Sequence, residues 1–347
     1  MVHTMRQICH VNLARGYRGG ERQTELLVRA IAARGLNQRV IVRQGEPLAR
    51  RLHDVPGVDI RAIGKPFFRH AFKGRGFLLH AHDGHGAKFA CAASVLAGSP
   101  YVVTRRISKQ PGNNLWTRAV FRRANAVVAV AQSVANDLKA YMPTLEPSVI
   151  HSAIGELPVN PQRRDLIRRR LAGAFLIVNV AALIQSQKGQ LHLIAAARRL
   201  ATERPDVAFI LLGDGRDRIW FESEARGLSN MTFEGFVDNV GDYLAAADAF
   251  VLPSLHEGIG GACLDAMYFG LPIIATAVDG VPEIVQDGHN GLLIPPADET
   301  ALVDAICRIH DDQALAEALG ASGRAMAQKH LPERMAERYL EVYEGVR

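Results

Sequence analysis

Short apolar runs alternate with longer stretches whose apolar positions recur at helical spacing along nearly the whole chain. In the first half, Gln7–Asn12, Arg39–Arg43, Leu78–Ala81, Tyr101–Thr104 and Ala126–Val130 read as strands. Between them Leu26, Leu27, Ala30 and Ile31 mark one face of a helix, and Gly86–Leu96 and Ala131–Ala140 are further helical stretches. The alternation pauses between Pro143 and Pro161, where Pro147, Gly155 and Pro158 also fall, as expected of a linker. It restarts with the strand Phe175–Ala181, the helix Gln190–Ala201 and the strands Val207–Leu212, Ala249–Leu252 and Ile273–Ala275. Two or three helices from Asp298 to Tyr343 close the chain. This alternation predicts an α/β protein with parallel sheets covered by helices on both faces. The expected organisation is two Rossmann-like, doubly wound domains, residues 1–155 and 156–330, with a helix in 331–347 packing back toward the first. Doubly wound sheets bind ligands beyond the C-terminal ends of their strands, which points to a cleft between two facing sheets.

Composition narrows the class. The 347 residues are 48% hydrophobic and 22% charged, which suits folded domains and excludes disorder. The net charge of +6 conceals a split: residues 1–155 hold 23 basic and 8 acidic side chains, a net of +15, against −9 for the remainder. No apolar run approaches the ~18 residues of a membrane-spanning helix, and the first residues lack a secretory leader pattern, so a cytoplasmic protein is expected. Cys9, Cys91, Cys263 and Cys307 are scattered, without the spacing of a zinc site. The basic residues form no compact run, aromatics are only 6%, and no nucleic-acid motif occurs, so nucleic acid is not an expected partner.

Three segments can carry chemistry. Arg15–Glu21 contains Gly16, Gly19 and Gly20 between the first strand and its helix, where backbone N–H groups can cradle a phosphate; a plain tight turn is the other reading. Leu79–His85 places His80, His82, Asp83 and His85 at a strand end. There a histidine can polarise a reacting hydroxyl, lie on a surface loop, or join a metal site that no fitting Cys/His/Glu set completes. In Leu252–Met267 a strand runs through a glycine-rich loop into a helix, and Glu257 and Asp265 offer carboxylates suited to vicinal sugar or ribose hydroxyls.

Embedded in Gly270-Leu-Pro272, Gly280-Val-Pro-Glu283 and Asp287-Gly-His-Asn-Gly-Leu-Leu293, the Glu257…Asp265 pair resembles the donor signature of retaining glycosyltransferases of family 4. Gly19-Gly-Glu21, His80-Ala-His82 and Lys188-Gly189 follow in the family's order, and members that build lipopolysaccharide and other cell-surface glycans look similar. The resemblance implies the GT-B fold and sugar transfer from a nucleotide-sugar donor to a hydroxyl of a glycan or glycolipid. It implies that Gly19 and Gly20 meet the donor diphosphate, that His82 sits by the transferred sugar, and that Lys188 neutralises the leaving group. Glu257 would hold sugar hydroxyls with the loop amides of Gly258, Ile259, Gly260 and Gly261. Asp265 would bind the ribose, and the backbone around Gly213, Gly235 and Phe236 would face the base. Retention would follow from attack on the face that the leaving group vacates, a diphosphate oxygen taking the acceptor's proton.

Two positions depart from the family pattern. Ala181-Ala182 replaces the usual Gly-Arg, leaving Arg18, Arg105 or Arg106 as substitute cations, and Asp265 replaces a glutamate. No Asp-x-Asp occurs, so transfer without a metal or other cofactor is expected. A nucleotide-sugar epimerase, a phosphorylase and a non-catalytic nucleotide-sugar binder are the alternatives within this fold. The aromatic-cationic segment Lys65–Phe77 and the basic first half point to an anionic acceptor and peripheral contact with the inner face of the membrane. A buried helix or strand with a basic edge is the competing reading of that segment.

Overall fold

The computed structural model describes residues 6–171 and 173–346, which form two compact units. One comprises the chain through Ala153 together with the segment from Leu331 onward; the other is Ile154–His330. In the first unit, seven strands form one sheet: β1 Ile8–Asn12, β2 Gln38–Arg43, β3 Val58–Ile63, β4 Leu78–Ala81, β5 Tyr101–Arg105, β6 Ala126–Ala129 and β7 Ser148–Val149. Their order is 3-2-1-4-5-6-7, and every pairing is parallel. The second sheet comprises β8 Phe175–Val180, β9 Val207–Leu212, β10 Met231–Gly235, β11 Ala249–Leu252, β12 Ile273–Thr276 and β13 Leu292–Ile294. It runs 10-9-8-11-12-13, also parallel throughout. Both sheets therefore reverse their winding beside their first strand, between β1 and β4 and between β8 and β11. These are the topological switch points at which such sheets open toward a ligand.

The pattern of apolar residues explains which strands were visible in the sequence. All nine interior strands contain runs that read as strands. The four strands it does not reveal, β3, β7, β10 and β13, are the four sheet edges. Interior strands of a parallel sheet are buried on both faces and become continuously apolar, as in Val-Ala-Phe-Ile-Leu-Leu of β9. The edge strand β3 reads Val-Asp-Ile-Arg-Ala-Ile and is mostly half-buried or exposed, so its apolar signal is diluted.

The core of the first unit joins Ile8, Leu27, Ile31, Leu78, Val102 and Val128 to Met335, Ala336, Tyr339 and Tyr343. The last four lie on the helix Pro332–Gly345, whose tyrosines reach the histidines at the centre of this sheet. In the second unit Ile177, Phe209, Leu211, Val251 and Ile274 pack against Leu193, Ile194, Leu302 and Ile306. No helix among the described residues is long and apolar enough to cross a membrane.

Candidate functional site

At the switch point of the second sheet, Lys188 follows β8 and Glu257 follows β11. Lys188 Nζ donates to Glu257 Oε1, and the Ser254 hydroxyl donates to the same oxygen at 2.9 Å. The backbone on either side fixes this meeting. The N–H groups of Leu255 and His256 donate to Gln187 O at 2.8 and 3.0 Å, tying the loop after β11 to the helical turn Gln185–Lys188. Gly189 makes the approach possible: its φ is +64°, and a Cβ there would lie 1.9 Å from Pro253 O. The far side of the loop is held by Asp279, whose carboxylate accepts the Glu257 N–H at 2.7 Å, and by Thr276, whose hydroxyl donates to Ser254 O. Ser254, Thr276 and Asp279 hold the loop that carries Glu257, and motif reading missed them. The signal for Asp279 was local, an aspartate before Gly280, and here it holds the left-handed conformation that Asp tolerates, with φ +47°.

The lysine and glutamate side chains are only 18% and 12% exposed, so their charges are largely removed from water and depend on one another. Gly258, Ile259 and Gly260 continue the loop; Gly261 opens the helix Gly261–Tyr268, and a Cβ on it would meet nothing within 4 Å. Asp265, buried, lies in the second turn of that helix. Gly213 is demanded by packing, since a Cβ there would lie 2.0 Å from Ala181 O. Gly235 ends β10, and Phe236 beyond it is 61% exposed, able to offer a ring face. Ala182 leaves its position without a cation, and Arg18, Arg105 and Arg106 all belong to the first unit.

At the first switch point, Asp83 joins the two neighbouring strand ends. Its carboxylate caps the helix Gly84–Ala97 through the N–H groups of His85 and Gly86 and accepts the Leu13 N–H at 2.8 Å. Gly19 and Gly20 begin the helix Gly19–Ala32. A Cβ on Gly19 would meet nothing within 4 Å, and one on Gly20 only the Arg106 side chain at 3.8 Å, so the backbone here is open to an approaching group.

His10, His80 and His82 cluster together, all buried; the rings of His10 and His82 stack, and that of His80 is tilted against His82. Their hydrogen bonds have a direction. Gln38 Nε2 donates to Val28 O at 3.0 Å, so Gln38 Oε1 is the acceptor that meets His10 Nε2 at 2.9 Å. A neutral His10 then carries its proton on Nε2, and its bare Nδ1 accepts from His82 Nε2 at 2.9 Å. His82 Nδ1 is left as a lone pair facing Arg106, which can only donate, at 3.5 Å. Burial holds His10 down to about 4. It lowers His80 and His82 well below the ordinary range, with the neighbouring histidines and Arg106 adding to the effect. His80 is fixed separately, between the Tyr343 hydroxyl at 2.6 Å and Thr104 at 2.7 Å.

The three histidines could in principle supply one ligand atom each to an ion. The 2.9 Å between His10 Nδ1 and His82 Nε2 is a hydrogen bond. Two nitrogens bound at ~2.0–2.1 Å to a tetrahedral ion stand about 3.4 Å apart, and every other ring nitrogen already has a partner. As arranged, His10 and His82 belong to one hydrogen-bonded chain and His80 is held apart by Tyr343 and Thr104, with His82 only 4% exposed and facing Arg106.

Known proteins resemble this chain in sequence and in fold. Residues 174–312, which hold Lys188, Glu257 and Asp265, match the family model described as "Glycosyl transferases group 1". The chain is 28% identical to the lipopolysaccharide core biosynthesis glycosyltransferase LpsE of Rhizobium meliloti, over 93% of this chain and 95% of the relative. It is also 28% identical to the alpha-maltose-1-phosphate synthase of Mycolicibacterium smegmatis, over 78% and 79% of the two chains. The fold matches the crystal structure of Anabaena Alr3699/HepE in complex with UDP and glucose, with a TM-score of 0.86 at 19% identity over 98% and 99% of the chains. The two doubly wound units are thus those of a GT-B protein. The chain is a glycosyltransferase, and its residues 174–312 are similar to the group 1 family model.

Proposed function

We propose that this chain is a retaining glycosyltransferase that takes a sugar from a nucleotide-sugar donor and places it on a hydroxyl of a cell-envelope glycan or glycolipid. The observation that carries the donor assignment is the meeting of Lys188 and Glu257 at the switch point of the second sheet, within the residues similar to the group 1 family model. A cation that leaves its carboxylate for an incoming diphosphate stabilises charge as it develops on the leaving group, and the freed carboxylate accepts from sugar hydroxyls. Asp265 accepts from the ribose hydroxyls, and the exposed Phe236 lies near the base. Lys188 and backbone N–H groups do this without a divalent ion. LpsE, named for lipopolysaccharide core synthesis and aligned over almost the whole chain, supports the envelope reading. The HepE structure that shares this fold was solved with UDP-glucose, which favours a nucleotide sugar as the donor.

The acceptor side is assigned to the first unit, at the membrane surface. Lys65–Phe77 folds around the short helix Phe67–Gly74, from which Phe68 and Phe72 stand 61% and 62% exposed beside Lys65, Arg69 and Lys73. Leu115 and Trp116 of the same unit are exposed as well. Exposed aromatics among cations suit an anionic lipid surface.

The test is a panel of nucleotide sugars screened by thermal shift, followed by transfer to an envelope-lipid extract and NMR of the product's anomeric proton. One nucleotide sugar is expected to raise Tm, and the new linkage is expected to keep the donor's configuration. An inverted linkage contradicts the retaining assignment. Loss of nucleotide with no acceptor present favours an epimerase.

A further inference from the structure

A second concavity of the first unit is separate from the histidine chain and has a different character. It has a volume of about 590 Å³, within the range of small-molecule sites, and is lined by Arg15, Arg18, Arg43, Lys65, His85 and Glu21 among others. These side chains come from four places in the fold. Arg15 and Arg18 lie in the loop after β1, Arg43 ends β2, Lys65 follows β3, and His85 is in the first turn of the helix after β4. All are C-terminal to parallel strands, on the side where doubly wound sheets bind ligands. A merely solvated charged face would arise from one helix or one charged run; here three segments bring arginine and lysine cations to one hollow, and a fourth brings His85.

Most of these cations also lack a carboxylate partner. Elsewhere in this unit Arg29, Arg39 and Arg51 are each paired with a carboxylate. Arg15, Arg18 and Lys65 make no ion pair among the described residues, and Arg43 has only Glu46 at 3.7 Å. The one acid lining the hollow is buried, and its Oε2 accepts the Arg18 backbone N–H at 2.9 Å. Burial also raises its pKa, which favours the neutral acid and leaves the hollow more positive. Unpaired like charges repel one another and are relieved by a multiply charged anion, and guanidinium groups match phosphate oxygens in pairs.

We infer that this hollow binds a phosphate-bearing saccharide, the charged group of the acceptor. Its part in the reaction rests on the transferase reading above; its affinity for a sugar phosphate does not. A concave, polar hollow suits a phosphorylated sugar ring better than a flat lipid surface, which the exposed aromatics near Phe68 would meet instead.

The experiment is calorimetric titration of the wild-type chain, the double variant Arg43→Gln/Lys65→Gln and Lys188→Gln. The titrants are glucose 6-phosphate, glucose, inorganic phosphate, UDP and vesicles containing phosphatidic acid. Arg43 is half-buried and Lys65 exposed, so the double variant is expected to keep the wild-type Tm, which is measured alongside. The inference predicts that glucose 6-phosphate binds at least tenfold more tightly than glucose, that added salt weakens it, and that the double variant loses at least tenfold. UDP binding is expected to survive in the double variant and to fall in Lys188→Gln. Equal affinity for glucose and its phosphate, or phosphate binding unchanged in the double variant, overturns the inference. Equal loss of UDP in the double variant would return these cations to the donor. Vesicle binding that depends on Arg43 and Lys65 without sugar-phosphate binding would make the ligand a lipid headgroup, and the saccharide assignment falls. If the wild type fails to bind UDP, the donor reading fails by itself, because the glucose 6-phosphate comparison does not use it.

Discussion

The two units share one sheet order, yet their switch points treat charge in opposite ways. In the second unit a lysine and a carboxylate are brought together, shielded from water and pinned by backbone hydrogen bonds to Gln187 and Asp279. In the first, three imidazoles are held neutral by burial, while cations nearby are left without carboxylates. The same topology thus supplies two platforms. One holds a shielded charge pair, which the proposed function has a diphosphate and a sugar take apart; the other holds buried neutral imidazoles and a hollow lined by cations. Winding order determines where a ligand can be met, and side chains at the strand ends determine what is met there.

The largest effect should come from the second unit. Lys188→Ala is expected to lower kcat roughly a hundredfold to a thousandfold, the scale for losing one group that stabilises developing charge. Glu257→Gln keeps the acceptor oxygen for Ser254 and should cost less in Tm than Glu257→Ala while still impairing transfer. Steady-state kinetics with circular dichroism of each variant checks both. Wild-type kcat in Lys188→Ala would break the comparison at its strongest point.

The first unit should instead reveal itself through acid. His10 is held near 4 in the folded chain and titrates near 6.5 when unfolded, so protons bind the unfolded state first as pH falls. Its share of stability is complete above about 6.5 and is lost as pH falls through that window toward 4. For this one group the loss is about 3 kcal/mol, and His80 and His82 act in the same direction. Denaturant unfolding at stepped pH measures it. In His10→Phe the dependence between pH 6.5 and 4 should shrink; an unchanged slope would mean that the imidazole chain is not neutral as described.

A smaller loss is expected from Tyr343→Phe. It removes the hydroxyl bonded to His80 Nδ1 at 2.6 Å and should cost about 1–2 kcal/mol by urea titration. The smallest expected response is to chelation: dialysis against EDTA should leave kcat unchanged, because in the proposed reaction Lys188 and backbone N–H groups take the place of an ion. Activity lost to EDTA and restored by a divalent ion would contradict that.

What the sequence made legible follows from burial and spacing. Interior strands, the switch-point loops and the Glu257…Asp265 spacing all leave local patterns, because a run of apolar residues or a glycine-rich turn is written within a few positions. Edge strands such as β3 and β13 lack that signal. The partners of the site were hidden for another reason. Asp279 supports Glu257 from 22 residues away, Gln187 from 70, and Gln38 orients His10 from 28 away, so only folding brings them together. His82 could be named as a site residue from its place at a strand end, but its tautomer depends on the whole hydrogen-bonded chain from Val28 to Arg106. The basic excess of the first half was visible as a count; the meeting of Arg15, Arg18, Arg43 and Lys65 from three segments in one hollow was not.

The most direct test of the account is nucleotide-sugar stabilisation of the wild type, Lys188→Gln and Glu257→Gln measured side by side. The account predicts that the best nucleotide sugar raises the wild-type Tm, as any ligand of the native state does. The shift should vanish in Lys188→Gln. In Glu257→Gln it should shrink to that given by the bare nucleoside diphosphate. An undiminished shift in Lys188→Gln would show that the donor is held elsewhere and would contradict the central claim.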